Sequence, residues 1–152
     1  RYRLYLPLEL DVAVTSFIFV TLFLGSLRDF YEYFPWWDDL LHFASGILLG
    51  TGGFILIYIL NSEKVARLRL RPGFIAFFSV CFSMAMSVVW EIYEYSVDNL
   101  LGFNMQRDGI SDTMTDFIVN ATGALIVAII AYVWMHHQMR LPFTSKRLKK
   151  LE

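Results

Sequence analysis

The sequence predicts an all-α integral membrane protein, a bundle of at least four transmembrane helices. Three observations lead there. The 152 residues are 57% hydrophobic and only 18% charged, and a mean hydropathy of +0.50 exceeds what a soluble domain needs. Four apolar stretches are each long enough to cross about 30 Å of hydrocarbon. The basic residues gather in alternate connections, as expected of a multi-pass chain.

The spans are expected at about residues 7–28, 38–60, 73–100 and 110–135, within one polytopic domain covering 1–140; a basic cytoplasmic tail follows at 141–152. Arg1 stands where an initiator Met is usual, which leaves room for earlier spans or a removed signal peptide, and Leu151–Glu152 resembles an expression-vector scar. Val12 to Leu27 carries the first span, with Glu9 and Asp11 solvated at its interface. Arg28 to Trp37, RDFYEYFPWW, then crowds six aromatics around Pro35 and reads as an interfacial aromatic belt.

The second span opens on Asp38 and Asp39, where the helix dipole favours acids. On one of its faces His42, Gly46, Gly50 and Gly53 recur at helical spacing, a small-residue stripe that lets another helix approach closely. A basic loop with Lys64, Arg67, Arg69 and Arg71 follows and stops at Pro72–Gly73. In the third span Ser83, Ser87 and Glu91 continue a polar face toward Glu94 and Asp98. Glu91, Glu94 and Asp98 lie at i, i+3 and i+7, so all three share that face. The fourth span carries Asp112, Asp116 and Asn120 at i, i+4 and i+8, followed on the same side by Gly123, Ala124, Ala128 and Ala131.

Loop charge orients the bundle. Eleven of the thirteen Lys and Arg fall in the N-terminal segment, the loop between the second and third spans, and the tail, so both termini of this segment are expected in the cytoplasm. Ten of the fourteen acids, from Asp29 to Asp116, then collect at the opposite, outer end. An ionised group inside a bilayer costs about 2.5–3.5 kcal/mol on insertion scales and usually marks function. Six or more carboxylates in one small volume need a counter-charge, yet only Arg28, Arg107 and His42 are near. Shared protons or a divalent cation would relieve the repulsion.

The cation reading rests on ligand type and spacing. Asp38-x3-His42, Glu91-x2-Glu94 and Asp112-x3-Asp116 resemble the inward-facing pairs of di-metal helical bundles, and with Asp98 they form the expected ligand set. Oxygen ligands with one imidazole suit Zn, Mn, Fe or Mg, and spacing does not choose among them. The plainer alternative is that these acids are rim residues, those at helix starts serving as caps. Capping does not account for Glu91, Glu94 and Asp98 at a helix C-terminus, where the dipole opposes them. His136 and His137 read as interfacial, Trp90, Tyr93 and Tyr95 as belt or packing residues, and Cys81 as a small core residue.

At these residues WWDDLLHFASGILLG, WEIYEYSVDNLLG and SDTMTDFIVNATGAL resemble the three signature stretches of the YjdF-like bacterial inner membrane family, over roughly Pro35 to Ala131. A more distant similarity is to VanZ-like proteins, which share a D-x3-H, a carboxylate cluster ending the next span, and a D-x3-N-x2-G-A. Asp38, His42, Glu91, Glu94, Asp112 and Asp116 match by position, and Asp116, Asn120, Gly123 and Ala124 match the last motif. Where VanZ-like proteins usually carry Gln, this chain has Glu94. The resemblance implies a multi-pass protein of the bacterial cytoplasmic membrane and no particular reaction.

Two functions of different classes follow. One is a metal-dependent hydrolase of a lipid-linked or phosphorylated envelope substrate, with Glu94 and His42 as catalytic residues and Arg107 or Arg28 holding a substrate phosphate. The other is a cation or proton-coupled transporter with the acids at its entry. Below Ser83 and Asn120 the polar stripes give way to Gly, Ala and aliphatics, which favours a one-sided site. A structural or regulatory membrane subunit is a third reading. The expected partners are membrane lipids, a lipid-linked small molecule and further copies of the chain as a homo-oligomer; nucleic acid is not among them.

Overall fold

Gly46 and Gly123 bring two helices into close backbone contact. A Cβ on Gly46 would overlap the Asn120 carbonyl oxygen, and a Cβ on Gly123 would overlap the Phe43 carbonyl oxygen. Backbone therefore rests on backbone. Such contact replaces the hydrophobic drive that helices lack in lipid. It joins α3 (Trp37–Leu60) to α5 (Ile110–His136), and α4 (Pro72–Leu101) packs against both. The computed structural model describes residues 8–61, 70–106 and 109–137, and among these no strand occurs.

The first span begins as α1 (Leu8–Phe19) and continues as a π-helix over Val20–Leu27, followed by the short α2 (Phe30–Tyr33). The change from α to π departs from the regular helix expected there. At the junction Thr21 Oγ1 donates 2.9 Å to the Phe17 carbonyl, the acceptor that the Thr21 amide would use in an α-helix. Gly25 lies against the Tyr31 ring, which ties the π segment to α2. Among the described residues four helices, Leu8–Leu27, Trp37–Leu60, Pro72–Leu101 and Ile110–His136, are long and apolar enough to cross a membrane. The chain is an all-helical membrane protein.

Local chemistry explains the ends of α4. Pro72 occupies its first turn, where a missing N–H costs nothing, and Gly102 closes it in the left-handed conformation with φ 73°. Antiparallel connection places the start of α3, the end of α4 and the start of α5 at one end of the bundle. At the other end Phe54, Ile57, Ile75 and Ala131 form an apolar cluster, with Phe78, Trp134 and Met135 packed on it. α1 stands apart: it rests mainly on α3 and buries none of its residues.

Cys81 corrects an expectation. It is exposed on the outside of the bundle, not in the core, because the hydrocarbon around a membrane helix accepts a small apolar side chain as readily as a core does. The tail 138–152, the basic residues Lys64, Arg67 and Arg69, and Arg107 with Asp108 lie outside the described residues.

Candidate functional site

Above the glycine contact a stack of buried polar side chains climbs α4 at every fourth residue: Ser79, Ser83, Ser87 and Glu91, none more than 4% exposed. Asn120 of α5, fully buried, joins the three long helices at this level. Its Oδ1 accepts from Ser83 Oγ at 3.1 Å, and its Nδ2 donates to Ser45 Oγ at 3.0 Å and toward the His42 carbonyl at 3.5 Å. One turn of α3 is thus fixed against α4 and α5. His42 lies on that turn.

The His42 ring is buried, and its Nε2 faces two carboxylates at equal distance: Asp38 Oδ1 at 3.8 Å and Asp116 Oδ2 at 3.8 Å. Both gaps exceed a hydrogen bond. An imidazolium between two carboxylates would be drawn to about 2.7–2.9 Å. Two ligands on one cation with bonds of about 2.1 Å at a tetrahedral angle stand about 3.4 Å apart. One ligand atom from each of Asp38, His42 and Asp116 lies within 4.8 Å of the others. These three residues could therefore hold a cation after a closure of a few tenths of an ångström.

Other acids surround this trio. Asp38, Asp112, Glu91 and Glu94 all act electrostatically on Asp116, and Glu91, Asp112 and Asp39 act on His42. Asp116 is 1% exposed, and neither of its carboxylate oxygens has a hydrogen-bond partner among the described residues; Glu91 Oε1, Glu94 Oε2 and Ser87 Oγ are equally unpartnered. Buried polar atoms are nearly always satisfied, because each one left over costs about 1–3 kcal/mol. Several at one place, mostly carboxylate oxygens, mark a position where a cation or protons belong.

Asp98 and Arg28 make other contacts, and Asp112 stays beside the cluster. Asp98 holds the loop after α4, accepting from the Met105 amide at 2.7 Å and the Gln106 amide at 2.9 Å. Arg28 is exposed, its guanidinium 5.8 Å from the Phe23 ring centre, a cation–π distance. Asp112 is partly buried near the cluster. The helix-start residues are Trp36 for α3 and Gly109 for α5, neither with a side-chain cap, so Asp38 and Asp112 stand inside the first turns.

Sequence reasoning passed over three positions. Trp90, read as belt or packing, donates its indole N–H to Glu94 Oε1 at 2.8 Å; the i, i+4 spacing was the available signal. Gln106 reaches Glu91 Oε2 at 3.4 Å and Thr113 Oγ1 at 3.0 Å, a loop contact with no periodicity to reveal it. Ser79 extends the stack one turn below Ser83, and the fourfold serine repeat would have found it.

A cavity of about 760 Å³ opens beside the trio, between the first span and α3 with α4. Asp38, His42, Ser87 and Glu94 are among its polar lining residues, with Asp29, Glu32 and Asn104, whereas Phe17, Leu48, Leu49 and Met86 are among the apolar ones.

Residues 1–137 match the family described as predicted membrane protein (DUF2238). The chain belongs to the DUF2238 family. An uncharacterised protein of Thermotoga maritima is 31% identical over 133 residues, covering 84% of this chain. This DUF2238 chain spans 64% of that relative's length. No solved structure matches it.

Proposed function

We propose that this DUF2238 protein is a metal-dependent membrane hydrolase acting on a lipid-linked or phosphorylated envelope substrate. The observation that carries the reading is Asp116, whose buried carboxylate has no hydrogen-bond partner among the described residues while it faces His42, which lines a cavity. Asp38, His42 and Asp116 are the proposed ligands for Zn, Mn, Fe or Mg, with Glu91, Glu94 and Asp112 around them. A cation held there would polarise a phosphoryl or acyl oxygen and acidify a water.

Glu94 is the proposed base. Trp90 holds its Oε1 by a hydrogen bond, which leaves the unpartnered Oε2 to take a proton. The water oxygen bonds to phosphorus or acyl carbon, the ester bond breaks, and the proton held by Glu94 passes to the leaving alkoxide. His42 orients the centre from the buried side. Location in a bacterial inner membrane with the site facing outward, and the distant likeness to VanZ-like proteins, belong to this same reading.

Transport is the second reading, and the apolar cluster of Phe54, Ile57, Ile75 and Ala131 counts against it. Among the described residues the polar stack stops at Ser79, short of the basic end. The test is release of phosphate or fatty acid from lipid phosphates and esters by purified protein, wild type beside Glu94→Gln. Metal-dependent turnover lost in the variant supports hydrolysis; metal- or proton-driven flux in proteoliposomes without turnover would replace it by transport.

A further inference from the structure

The cavity beside the trio changes character along its length. Ser87 Oγ and Glu94 Oε2, both buried and unpartnered, lie at one end, and Leu48, Leu49, Phe17 and Met86 form the walls beyond. Leu22, Met86, Trp90 and Tyr93 line it while remaining 58%, 40%, 42% and 51% exposed. Its mouth therefore opens sideways between the first span and α4, toward hydrocarbon. Apolar wall that faces hydrocarbon is filled most naturally by a hydrocarbon chain, and the polar lining residues are left for a head group.

We infer that the substrate is an amphiphile which enters sideways from the bilayer, its single hydrocarbon chain lying along Leu48, Leu49 and Met86 and its phosphate or ester head at the Asp38–His42–Asp116 centre. This inference rests on the hydrolase reading for the chemistry at the head, although the chain site stands on the cavity alone. Moving a chain from bilayer to cavity gains almost nothing by the hydrophobic effect, since lipid tails are as apolar as Leu. Selection must therefore come from the head group and from cavity shape. A volume of about 760 Å³ lies within the usual range for small-molecule sites. Peripheral packing of the first span, which buries no α1 residue, leaves the lateral opening uncovered by the helices described.

The test uses the protein in phosphatidylcholine nanodiscs with a dodecyl phosphate carrying a mid-chain diazirine, cross-links being mapped by mass spectrometry. Labelling is expected on Leu48, Leu49 or Met86, with competition by dodecyl phosphate and none by inorganic phosphate. Leu49→Trp, which fills the cavity, should lower cavity labelling by about tenfold and leave metal content unchanged. Val89→Trp, on an exposed face of α4, should leave both unchanged. Labelling spread over exposed positions such as Val89, and equal in Leu49→Trp, overturns the chain site. Cavity labelling in a protein that neither binds metal nor hydrolyses the probe upholds the chain site and removes the hydrolase. Retained metal and hydrolysis of a chainless phosphate ester, without cavity labelling, does the reverse.

Discussion

His42 Nε2 and Asp116 Oδ2 face each other across 3.8 Å of buried space, one from α3 and the other from α5. Packing one turn below holds their two helices at this separation. Asn120, one turn below Asp116, bonds Ser45 and reaches the His42 carbonyl, and the Gly46–Asn120 backbone contact fixes the helix separation. The spacing is therefore a property of the helix packing, and it suits an intervening ion better than a direct bond.

Replacing Asn120 with Ala should disturb this spacing from below. Ser83, Ser45 and the His42 carbonyl each lose a partner at a fully buried position, at a cost of about 1–3 kcal/mol for the groups left unsatisfied. Thermal unfolding in detergent should fall, and Ser96→Ala, whose hydroxyl bonds only its own helix at an exposed site, should be neutral.

Gly46→Ala and Gly52→Ala form a matched pair. A methyl at Gly46 meets the Asn120 backbone, whereas one at Gly52 has nothing within 4 Å. The first should cost about 1–3 kcal/mol as overpacking; the second should be neutral or stabilise by up to about 1 kcal/mol through helix propensity. Melting temperatures of the two variants in one detergent check this, and equal behaviour would place the α3–α5 contact elsewhere.

Asp98→Ala separates loop from site. Its two oxygens hold the Met105 and Gln106 amides, so the variant should lose about 1–2 kcal/mol of stability with unchanged metal content. Loss of metal would return Asp98 to the ligand set.

Trp90→Phe should keep the fold and weaken the site. The ring remains and the indole donor to Glu94 Oε1 goes, and loss of an outer partner commonly costs 10–100-fold in affinity or activity, here taken as about tenfold. Tyr93→Phe, whose ring packs at 5.3 Å on Trp90, should change turnover little. Metal-dependent turnover of both variants, beside their metal content, decides the matter.

Much of this was legible in the sequence, and for physical reasons. A span must be long and apolar, and Asp38-x3-His42 or Asp116-x3-Asn120 must share a helix face, because both requirements act within one element. Convergence of the acids at one end followed from alternating helix direction. What escaped were relations between elements that periodicity does not encode. Asp98 shares a face with Glu91 and Glu94, yet the returning loop takes up its oxygens. Trp90 carries a belt residue's composition, but its N–H turns to Glu94. The cavity depends on how far the first span stands from α4, and nothing in Leu8–Leu27 states that distance.

The most direct test is elemental analysis of detergent-purified protein, wild type beside the Glu91→Ala/Asp116→Ala double variant and His136→Ala, with a magnesium thermal-shift titration run in parallel. A buried cation centre predicts stoichiometric Mn, Fe or Zn, or a saturable rise in melting temperature with Mg, present in wild type and His136→Ala and lost in the double variant. Wild-type protein free of metal and unmoved by any divalent cation would contradict the centre and leave protons as the charge that the buried carboxylates share.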